Sequence, residues 1–296
     1  VTSQVGYTDS GFGQGIAVGD YNSDGFPDLF DANIGRNRLY RNNGDGTFSD
    51  VSDSVGLQGE SWTTCGLLAD INGDGLTDLY EVTYCGGNKP YQQACRNSRG
   101  LATCPPLDFE ADTDHFWRGS DRGKFSDITK KWAGQTSPGR GLGIVAGMFD
   151  ERPGLDLYVA NDYGRNNFYK NDNGIFKDIA AQSYTEDSAS GMSVTWADYN
   201  KDGMMDLYIS NMFSAAGNRI TNQKEFKSSA QKSIRNRFRR FARGNTLLQN
   251  EGLTFKDTSL NARVNMGRWA WGSNFIDFNN DTFPDLLVAN CYLTSK

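Results

Sequence analysis

Histidine is nearly missing from this chain of 296 residues; the single one is His115. Catalysis by a positioned imidazole therefore has one candidate, and neither GxSxG nor HExxH is present to mark an activated nucleophile or a zinc protease helix. The five cysteines contain no CxxC pair, which removes the usual zinc-knuckle spacing. No apolar run is long enough to span a bilayer, so no transmembrane segment is expected, and no cleavable leader is found; the sequence reads as mature protein. An excess of positive charge is also lacking. Lys and Arg number 30 against 36 Asp and Glu, for a net charge of −6 and a pI near 4.9, so nucleic acid is not an expected partner. What the chain has in quantity is glycine, 34 residues, together with short aromatic and β-branched runs.

The decapeptide DYNSDGFPDL at 20–29 recurs as DINGDGLTDL from Asp70, DYNKDGMMDL from Asp198 and DFNNDTFPDL from Asp277. A hard cation such as calcium takes six to eight oxygens at about 2.3–2.6 Å, so a short peptide must turn its oxygens inward at alternate positions. The first copy offers Asp20, Asn22 and Asp24, the backbone carbonyl of Phe26, and Asp28. The second offers Asp70, Asn72, Asp74, Leu76 and Asp78; the third Asp198, Asn200, Asp202, Met204 and Asp206; the fourth Asp277, Asn279, Asp281, Phe283 and Asp285. About four calcium sites are therefore expected. Asp, Asn and Gly also dominate ordinary turns, but repetition at one spacing favours the metal reading. A fifth element, GMFDERPGLDLYVAND, keeps its flanks but lacks the middle ligands between Asp150 and Asp156, and no metal is expected there.

An EF-hand requires flanking helices and a glutamate at position 12. Here that position is Asp31, Glu81, Ile209 or Val288, and the flanks read as strands. Each loop hairpin is followed by a second: NRLYRNNGDGTFSDVS, DHFWRGSDRGKFSDIT, NNFYKNDNGIFKDIA and GNTLLQNEGLTFKDTS each give an apolar pair, a polar turn and Phe-x-Asp. Four short strands in about 40–50 residues make the blade of a β-propeller. The fold class read from this is all-β, a propeller of four-stranded blades with about five readable, forming one domain over 1–296. Two intervals between loops are longer than the others, which places insertions at 86–113 and 213–244. The opening VTSQVGY resembles the fourth-strand text DVSDSVGL and is expected to supply the outer strand of the last blade. Closure at five blades, or membership of a larger ring, stays open.

This arrangement of strand, DxNxDGxxDL loop and Phe-x-Asp hairpin resembles the VCBS and FG-GAP repeats, which are related to integrin α-subunit propeller blades. More narrowly it is similar to the propeller of the ASPIC/UnbV and cartilage acidic protein group, over nearly the whole chain. The resemblance implies a secreted propeller with calcium in outward loops, used for adhesion, ligand binding or matrix contact. The C-terminal ASPIC-type module of that group is not recognisable. The fourth loop departs from the pattern at Thr282, where the others have glycine.

The insertions differ in character. Cys85, Cys95 and Cys104 crowd the first, and one bridge is expected within this trio, Cys95 to Cys104 being the simplest pairing; Cys65 and Cys291 are read as buried thiols or as partners for the third member. All five reduced is the competing reading. His115 lies in strand text and is read as a packing residue. In the second insertion Lys224, Lys227, Lys232, Arg235, Arg237, Arg239, Arg240 and Arg243 face a single acid, Glu225, while Phe226, Ile234, Phe238 and Phe241 recur at helical spacing. One reading is a basic helix, with Arg235, Arg237, Arg239, Arg240 and Arg243 gripping an anionic partner; the other is a helix laid on the propeller, its phenylalanines buried and its arginines paired with acids.

The function these features predict is that of a secreted calcium-binding propeller, extracellular, at the cell surface or periplasmic. It serves as a binding, adhesion or assembly module for an extracellular glycan or protein ligand, or for self-association. A polysaccharide-acting propeller enzyme of lyase or dehydratase type is the alternative. Because the aspartates recur in every blade while a catalytic site occurs once, no catalytic residue is assigned.

Overall fold

The computed structural model describes residues 4–8, 10–86, 93–98, 100–132, 137–149 and 154–290; Asp150 and Cys291 lie outside them. The chain divides into two compact units, one of residues 1–141 with 153–155 and 171–176, the other of 142–152, 156–170 and 177–296.

In the first unit, β1 (Phe12–Gly19), β2 (Asp28–Gly35), β3 (Arg38–Asn42) and β4 (Phe48–Asp50) form an antiparallel four-stranded meander, followed by α1 (Ser52–Val55). A second meander repeats it with β5 (Ser61–Ala69) and β6 (Asp78–Thr83). It is then interrupted by the short strands β7 (Cys85–Gly86), β8 (Cys95–Asn97), β9 (Gly100–Ala102) and β10 (Glu110–Ala111), before β11 (His115–Arg118), β12 (Ser126–Asp127) and α2 (Thr129–Trp132). The meanders join where Ile34 and Gly35 pair with Trp62 and Ser61. Close approach is possible because the first strands carry glycine: a Cβ on Gly15 would stand 2.4 Å from the Thr64 carbonyl oxygen. Phe30, Leu39, Leu79 and Phe125 fill the core between them. In the interrupting segment β8 and β9 form a hairpin, and Cys95 is bonded to Cys104, as the spacing suggested. Cys65 is a free thiol.

The second unit holds two further meanders. One is β13 (Gly141–Gly147), β14 (Asp156–Asn161), β15 (Asn167–Asp172) and β16 (Ile175–Asp178), whose hairpin tip at 171–176 clusters with the first unit. The other is β17 (Ser193–Ala197) and β18 (Asp206–Ser210), then α3 (Ala215–Thr221) and α4 (Lys232–Arg243), then β19 (Thr246–Asn250) and β20 (Phe255–Asp257). β21 (Ala270–Ile276) and β22 (Asp285–Asn290) pair with each other. Phe168 lies at the centre of this core, its ring within 6.2 Å of those of Phe149, Tyr158, Trp196 and Phe255. In every meander whose second strand is inner, that strand is the buried one: β6, β14 and β18 have no exposed residue. A strand covered on both faces loses the polar alternation of a half-exposed one, which is why DLYEVT, DLYVAN and DLYIS read as near-continuous apolar text. These are all-β meanders of the propeller-blade type.

Two expectations are corrected. Residues 4–8, expected to join the last blade, lie along the first meander. Phe48 N donates to Val5 O at 2.6 Å, the Tyr7 ring is 4.7 Å from that of Tyr40, and the Tyr7 hydroxyl bonds Asp31. The outer edge of β4 offers backbone donors, and an unpaired edge invites a strand to pair with it. The basic run is helical only from Lys232; Lys227 adopts a φ of 45°, and Ser228 and Ser229 follow it, so residues 222–231 form turns. The phenylalanines of α4 are not all buried either, since Phe238 is 41% exposed and its neighbour Ile234 44%.

Candidate metal loops

Each loop joins the first strand of a hairpin to its second and folds in the same way. In the first, Asp20 accepts from the backbone N–H of Asp24 at 3.1 Å and of Gly25 at 2.8 Å, while Asp24 accepts from Phe26 N at 3.0 Å. Asn22 Oδ1 accepts from Asp24 N at 3.0 Å, and its amide donates to the second Asp24 oxygen at 2.9 Å. The same bonds recur around Asp70, Asn72 and Asp74, around Asp198, Asn200 and Asp202, and around Asp277, Asn279 and Asp281. Carboxylates thus gather their own loop's N–H groups, and the backbone passes twice through the left-handed region to let them. The sixth position is Gly25, Gly75 or Gly203, at φ 86–88°, but Thr282 at 73° in the fourth loop. A β-branched residue there costs roughly 1–2 kcal/mol. Thr282→Gly is expected to raise stability by about 1 kcal/mol, the gain being trimmed by loss of the exposed bond from Lys201 Nζ. Urea unfolding reads it as a higher midpoint at unchanged slope; an unchanged or lower midpoint would count against the strain.

The ninth residue behaves differently. Asp28, Asp78 and Asp206 are completely buried. Each ties its loop to the next strand: Asp28 accepts from Tyr21 N at 3.1 Å and Asn42 N at 2.7 Å, Asp78 from Ile71 N at 3.2 Å and Gly119 N at 2.9 Å, and Asp206 from Tyr199 N at 3.2 Å and Asn250 N at 2.7 Å. Burial pushes the Asp78 and Asp206 carboxyls up to about 6 and raises that of Asp28, against the pull of those N–H groups. Among the described residues no Lys or Arg forms an ion pair with any of them. Asp285 accepts from Phe278 N at 3.1 Å but is only half-buried, so the fourth loop is the least sealed.

No loop brings three carboxylate oxygens within 4.8 Å of one another, because the aspartates are turned onto backbone N–H groups. The donor set nevertheless suits calcium in kind: oxygen only, three carboxylates and an amide to a loop, and a buried negative charge that lacks a countercharge. The second loop differs in that Arg118 donates to Asp74 at 2.9 Å. Burial pushes that carboxyl up, but the Arg118 guanidinium, the Asn72 amide and the Leu76 N–H together hold it below the usual range.

A further repeated device escaped the sequence reading. The residue that opens each third strand turns its side chain back to the end of the second: Asn37 accepts from Asn33 N at 2.9 Å, Asp114 from Thr83 N at 2.8 Å, Asn166 from Asn161 N at 2.8 Å and Asn245 from Asn211 N at 2.7 Å. Three of them also meet a second-strand tyrosine hydroxyl, those of Tyr80, Tyr158 and Tyr208. The signal was present as Asn or Asp two residues before an apolar position in NRLY, DHFW, NNFY and NTLL. In the first unit Glu81, 4% exposed, faces His115 across β6 and β11 and takes a 3.0 Å bond from Asn37, and burial raises its carboxyl.

Within this set of meanders, most of them built around a DxNxD loop, residues 20–81 and 153–209 match the FG-GAP-like repeat. Those stretches contain the first, second and third loops. The chain is similar to cartilage acidic protein 1 of Xenopus tropicalis, 26% identical over 227 residues, and to that of Homo sapiens at 25%. The matches cover 73% of this chain but 31% of the relatives, so the chain spans about a third of their length. Among solved structures, an Agrocybe aegerita lectin that recognises non-reducing terminal N-acetylglucosamine aligns over 96% of this chain and 76% of its own, at 14% identity and a TM-score of 0.37.

Proposed function

We propose that this chain is a calcium-binding propeller module that works outside the cell, in ligand binding, adhesion or structural assembly, with the cations stiffening its blades. The observation that carries the reading is the buried closing aspartate, repeated in three loops without a basic partner. Asp20, Asn22, Asp24 and Asp28, with the carbonyl of Phe26, would hold one ion, and the corresponding residues of the other loops would hold the rest. Bound calcium supplies the missing positive charge and crosslinks the strands on either side of the loop. The Cys95–Cys104 disulfide agrees with an oxidising compartment, and no helix among the described residues is long and apolar enough to cross a membrane. Partners in this reading are an extracellular glycan, a protein, or further copies of the chain.

Calorimetric titration with calcium tests it. Saturable binding is expected, with one site lost in Asp24→Ala and one in Asp202→Ala. An absence of binding heat and of any calcium-dependent shift in the melt would remove the reading.

A further inference from the structure

The second insertion builds a cleft that the calcium loops do not explain. It lies entirely in the second unit, between α3, α4 and the 260–265 turn, as an open groove of about 670 Å³. Its wall combines Arg239, Arg240 and Arg243 with Asn218, Asn222 and Asn236. The arginines differ in how far they are engaged. Arg240 is held by Asp187, the Gly244 carbonyl and Thr246, and works as a structural clamp. Arg239 gives Nε to the Thr221 carbonyl at 3.1 Å, and among the described residues its terminal nitrogens make no bond. Arg243 gives Nη2 to Asp257, while its Nε is buried without a partner. A buried donor left unmatched is costly, and a cavity beside it is where the matching acceptor belongs.

The amides are anchored in one direction as well. Asn218 and Asn222 donate their N–H groups to the backbone carbonyls of Ala242 and Asn218. Fixed amides and half-free guanidinium groups in one cleft suit a ligand with both hydroxyls and an anionic group.

We propose that this cleft binds an acidic saccharide, a sugar unit carrying a carboxylate or a sulfate. Arg239 and Arg243 take the anionic group, and the asparagine side chains take hydroxyls. A cavity of this volume holds more than one sugar ring, so the ligand is an oligosaccharide and not a lone ion. The proposal names a ligand class for the binding role above and rests on that reading for its biological sense, but uses none of the loop residues.

Its test is binding by the whole chain in calcium, at 50 and 300 mM salt, to four probes: oligogalacturonate, a heparin oligosaccharide, neutral dextran and phosphatidylserine vesicles. Binding of one acidic probe and not of dextran is expected; which acidic probe binds identifies carboxylate or sulfate. Arg239→Ala should weaken it roughly ten- to a hundredfold, since a charge-assisted bond contributes about 1.5–3 kcal/mol. Asn236→Asp, on an exposed helix position, should abolish it by placing a like charge in the wall without disturbing the fold. Arg237→Ala removes the same charge from the same helix but does not line this cleft, and should leave binding within about twofold. Equal loss in Arg237→Ala and Arg239→Ala would mean a diffuse charged surface and overturn the site. So would binding of neither acidic probe, or binding only to vesicles of phosphatidylserine. Because calcium stabilisation is read separately in the melt, failure here with an intact calcium shift sinks the cleft alone.

Discussion

Removing calcium with excess chelator at pH 7 is expected to lower the melting midpoint by roughly 10–20 °C. A cation bound only to the folded state contributes about 2.7 kcal/mol per site at a hundredfold excess over Kd. The first and second loops lie in one compact unit, the third and fourth in the other, so each unit stands to lose about 5 kcal/mol, and 1 kcal/mol moves the midpoint of a unit this size by about 2–4 °C. The loss should be smaller at pH 5. Asp78 and Asp206 have folded-state carboxyls raised to about 6. A raised acid binds more protons folded than unfolded, so its contribution to stability falls as pH climbs from about 4 to about 6 and recovers on acidification. Protons then do part of the cation's work in the stripped protein. The double variant Asp24→Ala with Asp74→Ala should remove the calcium shift of the first unit while leaving that of the second. A midpoint indifferent to chelator at both pH values would show the loops to be turns, held by the N–H bonds already visible around Asp20 and Asp70.

Much of this was legible because the repeat writes the same physics several times. The loop text fixes its own geometry, since the aspartates at its first and fifth positions bond backbone within five residues, and the second strand announces itself by losing polar alternation in DLYVAN and DLYIS. The insertions were found by counting intervals between loops. What could not be read were choices made between distant elements. Nothing in VTSQVGY says which strand edge it will meet, and Val5 met β4. Nothing in the basic run says that Arg240 will clamp Asp187 while Arg239 stays half free, because that depends on where the 187 loop passes α4. The closing aspartates were read as metal ligands alone, and their second task, accepting the N–H of Asn42, Gly119 or Asn250 on the following strand, appears only in three dimensions. Asn37, Asn166 and Asn245 were in plain sight in quoted text, but a two-residue offset from an apolar pair is too weak a signal until the bond to the preceding strand is seen.

Those asparagines have one charged counterpart, and replacing it is expected to make the protein more stable. Asp114 occupies in the second meander the place held by Asn37, Asn166 and Asn245 in the others. It accepts from Thr83 N at 2.8 Å and from the Tyr80 hydroxyl at 2.7 Å, and burial pushes its carboxyl up to about 6. At pH 7 the fold therefore carries an ionised acid in a site built for a neutral side chain. A rise of about two pKa units corresponds to roughly 3 kcal/mol. In Asp114→Asn the amide oxygen keeps the bond from Thr83 N, and the amide N–H groups meet the tyrosine as those of Asn166 and Asn245 meet Tyr158 and Tyr208. The Tyr80 hydroxyl then has to give up its donation to the carboxylate, which costs about 1 kcal/mol. The net expectation is a gain of about 1–2 kcal/mol at pH 7. The wild-type protein should lose stability as pH rises from about 4 to 6, and the variant should lack that part of the slope, so the two denaturation curves converge toward pH 4. Loss of stability in Asp114→Asn at pH 7, with a pH profile parallel to the wild type, would mean that the carboxylate is solvated or countered by a charge and that the resemblance to the asparagines is one of position only.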